Sequence, residues 1–324
     1  LLAAGLVRAG LPKNLGGDEF SPRQLVRTIE RLSSQDASAG WTMPALLMMT
    51  GTTAAYLGDI AAADLFGDVA SGDHALLSGH GTRPGRAVPV DGGYLVSGGW
   101  QFASGMALAT HIHSLVLVLV LVEGTGEPRI LAMPDVFVPE THTYPAATMT
   151  PVNGGAIYRA GVVNMSAIVH TGWALGVGRR LLGELKLYAQ KKSGTHNAAV
   201  DTAQFHAEYA TAEAKLRAAR AWALQVWQDN EDTLDSGGML STDQETQIRL
   251  VLNHATWTAY AIGQTVHRWA ATTAIRRGPV DRFLRDLATG TQHGTSGPVV
   301  LQNCGKWLTG AQPGARWEFL DLVR

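Results

Sequence analysis

The order of local patterns predicts an α+β fold: helix, then strand, then helix again. Three observations carry it. Residues 1–72 have apolar positions three and four apart, punctuated by Gly and Pro. Residues 73–163 change to short β-branched runs separated by turn residues. Residues 164–324 return to helical spacing and hold two long heptad seams. The expected organisation is an N-terminal helical domain (1–72), a small middle β-barrel or sandwich (73–163) and a C-terminal four-helix bundle (164–324).

In the first part, Leu2, Leu6 and Ala9 share a helical face that Gly10 and Pro12 end. Ser21-Pro22 opens a second helix carrying Leu25, Ile29 and Leu32. The polar break Ser34–Ser38 precedes an apolar helix through Trp41 and Met48, and Ala54–Phe66 reads as a further short helix.

The middle part offers strands at Leu76-Leu77, Ala87–Val90, Tyr94–Val96, Trp100–Ala103, Leu115–Val122, Ile130–Ala132 and Val136–Val138. Leu115–Val122 is a Leu/Val run, too short to span a bilayer and read as a strand buried on both faces. Asp91-Gly92 is a tight-turn signal. After it, Tyr94, Val96, Gly98, Trp100, Phe102 and Ser104 fall at period two, with a bulge at Gly98-Gly99 able to reverse the parity. The stretch is either an ordinary half-buried strand or a hairpin lining a pocket.

In the last part, Gly172–Ala189 reads as a helix whose Gly172-x-x-x-Gly176 serves packing. Phe205, Tyr209, Ala212, Leu216, Ala219, Ala223 and Val226 form one seam. Ile248, Leu252, Ala255, Ala259, Ile262, Val266 and Trp269 form a second, behind a capping box at Thr242–Glu245. Val280–Ala288 makes a last helix that frays at Gly290.

Composition narrows the function. The net charge of −1 gives no reason to expect nucleic acid or an anionic membrane as partner. Apolar residues at 46% and nine Trp supply a sizeable core and suggest surface buried between subunits. Cys304 is the single cysteine, so no internal disulfide forms; this fits a cytoplasmic setting. No secretory signal is visible, and the sequence starts with Leu1 inside a helical pattern.

Metal chemistry finds no support. His111-x-His113 puts two imidazoles on one strand face with no third ligand fixed nearby, and no metal site is expected. No nucleophile elbow, P-loop or dinucleotide fingerprint occurs. Cys304 reads as buried and inert. Arg282–Thr295 runs from an Arg/Asp helix into a Gly/Thr-flanked His293. It is either a capped helix end with a loop histidine or a histidine delivered to a pocket as hydrogen-bonding or proton-accepting group.

Four stretches in order resemble the acyl-CoA dehydrogenase superfamily. They are Ala3–Leu6 with Leu11–Gly17, then Asp36–Trp41, then Gly92–Gly105, and finally Arg285-Asp286. Dehydrogenases of this family remove a proton from an acyl thioester with a carboxylate. Aligned on Gly294-Thr295, His293 takes that glutamate's place; aligned on Arg285-Asp286 it falls one residue earlier. The alternative position, near His254–Trp257, also lacks an acid. The Trp-x-Phe-x-Ser-Gly form and the later histidine are similar to the family's flavin-dependent monooxygenases, which take reduced flavin from a separate reductase and use O2 to hydroxylate an aromatic or polycyclic substrate.

That resemblance implies reduced FMN or FAD as cofactor and usually a homotetramer. It implies Trp100, Phe102, Ser104 and Gly105 at the flavin, Ser104 near its N5/O4 edge, and His293 beside the substrate as donor or base. A dehydrogenase-type flavin oxidoreductase and a non-catalytic member of the fold are the alternatives. The sequence departs from the family where Ile130–Pro134 runs directly into Asp135–Glu140, without the strand and turn found there, and where Met149–Ile157 is compressed.

Overall fold

The computed structural model describes residues 5–67, 69, 72, 74–100, 102–118 and 135–324, with 80–83 and 116–118 described by backbone alone. The fold is α+β. Internal packing divides it into two compact units: Leu1–Glu19 with Thr42–Val162, and Phe20–Trp41 with Val163–Arg324.

The first unit holds a four-stranded sheet, short helices and most of α2 (Ala37–Tyr56). Residues Leu6–Gly10 form only a 3-10 turn, not the helix expected there. The residues after it form a loop-to-loop clamp. Asn14 Nδ2 donates to Asn153 Oδ1 at 2.9 Å, and the Glu19 carboxylate accepts from the backbone N–H of Lys13 and of Gly155, each at 2.9 Å. The Leu11–Gly17 motif therefore serves this clamp. Tyr158 Oη donates to the Gly10 carbonyl at 2.8 Å, and Tyr56 Oη donates to the Tyr158 carbonyl. The helix expected at Ala54–Phe66 is instead the end of α2 followed by α3 (Asp59–Phe66).

The sheet runs in the order β3-β1-β2-β4, with β1 Leu77–Val90, β2 Gly93–Ser97, β3 His111–Val118 and β4 Val136–Pro139. Two strand expectations, Leu76-Leu77 and Ala87–Val90, thus merge into one long strand. Val90 pairs with Gly93 across Asp91-Gly92, the two-residue turn read from the sequence, with Gly92 at φ 75°. The period-two pattern breaks after Ser97, and Trp100, Phe102 and Ala103, expected in a strand, are not in one. The cause is steric: the Trp100 ring lies over Gly85 and Gly98, where a methyl would come within 2.3 and 2.9 Å of it. In the Leu115–Val122 run, Leu115 keeps partial exposure instead of being buried on both faces. Residues 119–134, including the Ile130–Ala132 candidate, lie outside the described residues.

The second unit is helical. Its long elements are α1 (Pro22–Gln35), α4 (Gly161–Lys192), α5 (Ala203–Asp235) and α6 (Thr242–Trp269). Ser21 caps α1 in a box with Gln24, and Pro22 sits where its missing N–H costs nothing. The Glu231 carboxylate accepts from Ser21 Oγ at 2.9 Å and Arg23 Nε at 2.7 Å, a negative charge at a helix N-terminus. Gly172 and Gly176 let α4 touch α1: a methyl on Gly176 would stand 2.3 Å from the Glu30 carbonyl oxygen. The capping box of α6 is Ser241 with Gln244, one residue before the expected Thr242 and Glu245. Glu245 is turned inward instead, beside Asn164 and Arg249.

Both heptad seams are buried at Leu216, Ala219, Ala223, Ile248, Leu252, Ala255 and Ala259. Ala156–Lys192 is apolar and long enough to cross a membrane, but its apolar window is 78% buried inside the protein, as in a core helix.

Beyond α7 (Pro279–Gly290), the sequence reading missed α8 (Pro298–Leu308) and the hairpin β5 (Arg316–Glu318) with β6 (Asp321–Val323). Arg249 stacks on the Trp317 ring at 4.1 Å and donates to the Phe319 carbonyl at 2.8 Å, tying the hairpin to α6. Cys304 is buried under it, and burial pushes its thiol up to about 11, consistent with an inert cysteine.

Candidate functional site

In the second unit four aromatic rings converge. Helix α4 presents Ser166, His170 and Trp173 four and three residues apart, so they share one face. Trp173 is buried, and its Nε1 donates to the Ala37 carbonyl at 2.9 Å. Trp41, at the start of α2, packs edge-on against Trp173 at 4.9 Å and against His170 at 4.8 Å. His293 completes the cluster, 4.1 Å from His170 and 5.7 Å from Trp41 between ring centroids. Trp173 is core, whereas Trp41, His170 and His293 each keep partial exposure. These three rings thus form the outer side of the cluster.

The chain reaches His293 through a steric constraint. Helix α7 ends on Gly290, whose missing side chain lets the Trp173 ring close in; a methyl there would lie 2.2 Å from it. Next, the His293 N–H donates to the Gly290 carbonyl at 3.2 Å. His293 then caps a short 3-10 turn, Gly294–Ser296. Its Nδ1 accepts from the Thr295 N–H at 3.4 Å and lies 2.7 Å from Thr295 Oγ1. An Nδ1 that accepts carries no proton, so these partners assign the Nε2–H tautomer to neutral His293. The Thr295 hydroxyl suits both states, donating to Nδ1 when the ring is neutral and accepting when it is charged. Trp257 Nε1 donates to the Ser296 carbonyl at 3.2 Å and holds the turn on α6.

His170 is pushed well below the ordinary histidine range. Removal from water is the largest cause and a charge on His293 adds to it; the Ser166 hydrogen bond opposes both. The sequence reading missed His170 and Trp173. The sequence offered only aromatic rings at i and i+3 on an apolar helix, and their partner His293 is distant in the chain.

The remaining predicted residues lie in the first unit. Trp100 Nε1 is buried without a hydrogen-bond partner, and its ring rests on the Gly85–Gly98 floor. Phe102 is 88% exposed at φ 60°, a conformation costly for a bulky residue and found where the surroundings enforce it. Ser104 is partly buried, and its carbonyl accepts from Ser78 Oγ at 3.0 Å, anchoring the turn to β1. Gly105 has φ 87° and its Cα faces Leu46, so no side chain fits there. Within this unit the structure brings Trp100, Phe102, Ser104 and Gly105 into one irregular segment; His293 belongs to the other.

His111 and His113 each have a hydrogen-bond partner. His111 Nδ1 pairs with Thr110 Oγ1 at 2.9 Å and His113 Nε2 with Tyr144 Oη at 2.6 Å. Among the described residues no group of three His, Cys, Asp or Glu could hold a metal ion.

Comparison with known proteins bears on this arrangement. Residues 168–296, which contain His170 and His293, match the family model described as acyl-CoA dehydrogenase, C-terminal domain. An indole-3-acetate monooxygenase of Acinetobacter baumannii is 27% identical, the match covering 95% of this chain and 85% of that protein. The oxygenase component of an FADH2-dependent resorcinol hydroxylase from Rhizobium sp. is 29% identical over 48% of this chain and 44% of its own. The solved structure of XiaF from Streptomyces sp., in complex with FADH2 and glycerol, superposes with a TM-score of 0.83 at 19% identity, covering 96% of this chain and 87% of that one. The chain is thus similar over residues 168–296 to an acyl-CoA dehydrogenase C-terminal domain, and over most of its length to a monooxygenase.

Proposed function

We propose that the protein is the oxygenase component of a two-component system. It takes reduced FMN or FAD from a separate reductase, uses O2, and hydroxylates an aromatic or polycyclic small molecule. The observation that carries the reading is His293: a capped imidazole framed by rings stands in the stretch where dehydrogenases of the family carry their carboxylate. The dehydrogenase alternative lacks an acid both there and at His254–Trp257.

The residues present fit a flat cofactor. Trp100 offers a buried, unpartnered N–H, and Phe102 offers an exposed ring on strained backbone. Trp100 and Phe102 would supply an apolar wall that excludes water, Gly105 close backbone approach, and the Ser104 hydroxyl a hydrogen bond. Reduced flavin, when bound, supplies two electrons and two protons. One O2 oxygen then enters the substrate C–H bond as a hydroxyl and the other leaves as water.

An electron-rich ring must lose a proton as it gains oxygen. In its assigned tautomer His293 donates from Nε2–H and is basic at Nδ1, so a proton it takes up goes to Nδ1 with the Thr295 hydroxyl turning to accept. The Acinetobacter relative makes indole-3-acetate and related aromatic acids the first substrates to try. A homotetramer and a cytoplasmic setting belong to the proposal. The single, buried Cys304 supports the latter, and light scattering checks the former.

The test is anaerobic equilibrium binding of reduced FMN and FAD, followed by O2 and aromatic substrate with product read by mass spectrometry. Expected are binding of one reduced flavin and an oxygen-labelled hydroxylated product from labelled O2. Absence of reduced-flavin binding sinks the reading; bleaching of bound oxidised flavin by an acyl-CoA would favour the dehydrogenase alternative.

A further inference from the structure

We propose that His170 is a positioning residue for His293, a platform on which that ring keeps its place while it gains and loses a proton. The proposal deepens the monooxygenase reading, and its activity arm alone rests on that reading.

The tautomer of His170 is fixed by its own helix. Nδ1 lies 2.8 Å from the Ser166 carbonyl oxygen and 3.1 Å from Ser166 Oγ, one turn earlier on α4. A carbonyl only accepts, so Nδ1 must carry the proton and Nε2 of the neutral ring is a lone pair. The neutral ring thus spends its one proton within α4 and has none left to exchange with His293.

The rings are close enough for charge to matter. Their centroids are 4.1 Å apart with planes tilted by 34°, so two imidazolium ions would repel strongly, whereas a neutral ring face attracts a cation. Among the described residues, Ser166 meets His170 from α4 and Trp41 from α2, and neither is ionisable near neutral pH. From the turn after α7 comes His293, the one charge that His170 feels among the described residues. The first proton that the pair binds therefore goes to His293. Trp41 touches both imidazoles and is itself braced on Trp173, so His170 cannot swing away without displacing Trp41.

The experiment uses the full chain with 15N-labelled histidine, together with His170→Phe, His170→Leu and His293→Gln. Signals lost in each variant assign the two rings. Across about pH 5 to 8, His170 is expected to stay neutral with its proton on Nδ1, while protonation in this pair falls on His293. His170→Phe, which keeps a neutral ring, is expected to retain hydroxylation. His170→Leu should lose about tenfold in kcat with KM for reduced flavin unchanged, because it removes the ring that orients His293.

Titration of His170 within that range, a proton on its Nε2, or equal kcat in the Leu and Phe variants would overturn the proposal. The spectra need no flavin. A wild-type protein that fails to hydroxylate therefore sinks the monooxygenase reading and leaves His170 to be judged by its tautomer and titration.

Discussion

Each unit contains a histidine held neutral by its surroundings, and the two are not equivalent. In the first unit, burial lowers His113 to about 4 and the Tyr144 phenol beside it is pushed up to about 12. The phenol therefore stays protonated, and the pair is a closed hydrogen bond between two neutral groups. In the second unit, His170 is also held neutral, but its neighbour is another imidazole in an open cluster. Depressed basicity alone thus does not mark a site. What distinguishes the second cluster is that a second imidazole faces the neutral ring.

The contrast can be broken in four ways. The largest expected effect is on chemistry: His293→Gln should reduce hydroxylation about a hundredfold or more, with circular dichroism unchanged, whereas His113→Gln should leave turnover intact. Equal losses in the two variants would erase the distinction.

The next effect is on stability, and it belongs to His113. The unfolded chain protonates this histidine near 6.5 and the folded protein only near 4. Between those values the unfolded state binds more protons, so the stabilisation is complete above about pH 6.5 and is lost as pH falls toward 4. The loss should reach roughly 1 to 3 kcal/mol by denaturant melts and should be absent in His113→Gln.

Gly290→Ala should cost roughly 1 to 3 kcal/mol, because the added methyl strikes Trp173, and should also lower turnover by moving His293. The smallest effect is Thr295→Val, about 1 kcal/mol from a lost hydrogen bond, seen as a modest fall in kcat. A Thr295→Val enzyme as inactive as His293→Gln would mean that Thr295 does more than cap the imidazole.

Much of the fold was legible because its signals are local. Ser21-Pro22, the Asp91-Gly92 turn and the two heptad seams each reflect short-range geometry that later packing respects. Failures came where tertiary contacts overrode a local rule. Trp100–Ala103 has strand-like residues, yet packing of Trp100 on Gly85 and Gly98 ends the ladder first. Glu245 had the capping-box spacing, but Asn164 and Arg249 claim its carboxylate. Helix α8 and the terminal hairpin gave no clear period, because their shape depends on Trp317 docking against Arg249 and Thr246.

For the candidate site, the missing acid and the Gly/Thr flanks singled out His293, and the structure sets Trp41 and His170 beside it. His170 was not, since a lone histidine in an apolar helix looks like core until a second ring is found opposite it.

The interleaving of the two units sets a timetable for synthesis. Trp41 belongs to the unit whose remaining segments begin at Val163, so it emerges from the ribosome before all of the first unit beyond Glu19. Its partners His170 and His293 follow only after that intervening stretch has been translated. At the usual pace of about 5–20 residues per second, Trp41 waits many seconds for His293 with its indole uncovered. Chaperone capture of nascent chains stalled before and after His293 would reveal this interval. During that interval Trp41 lacks the ring partners that it packs against in the fold.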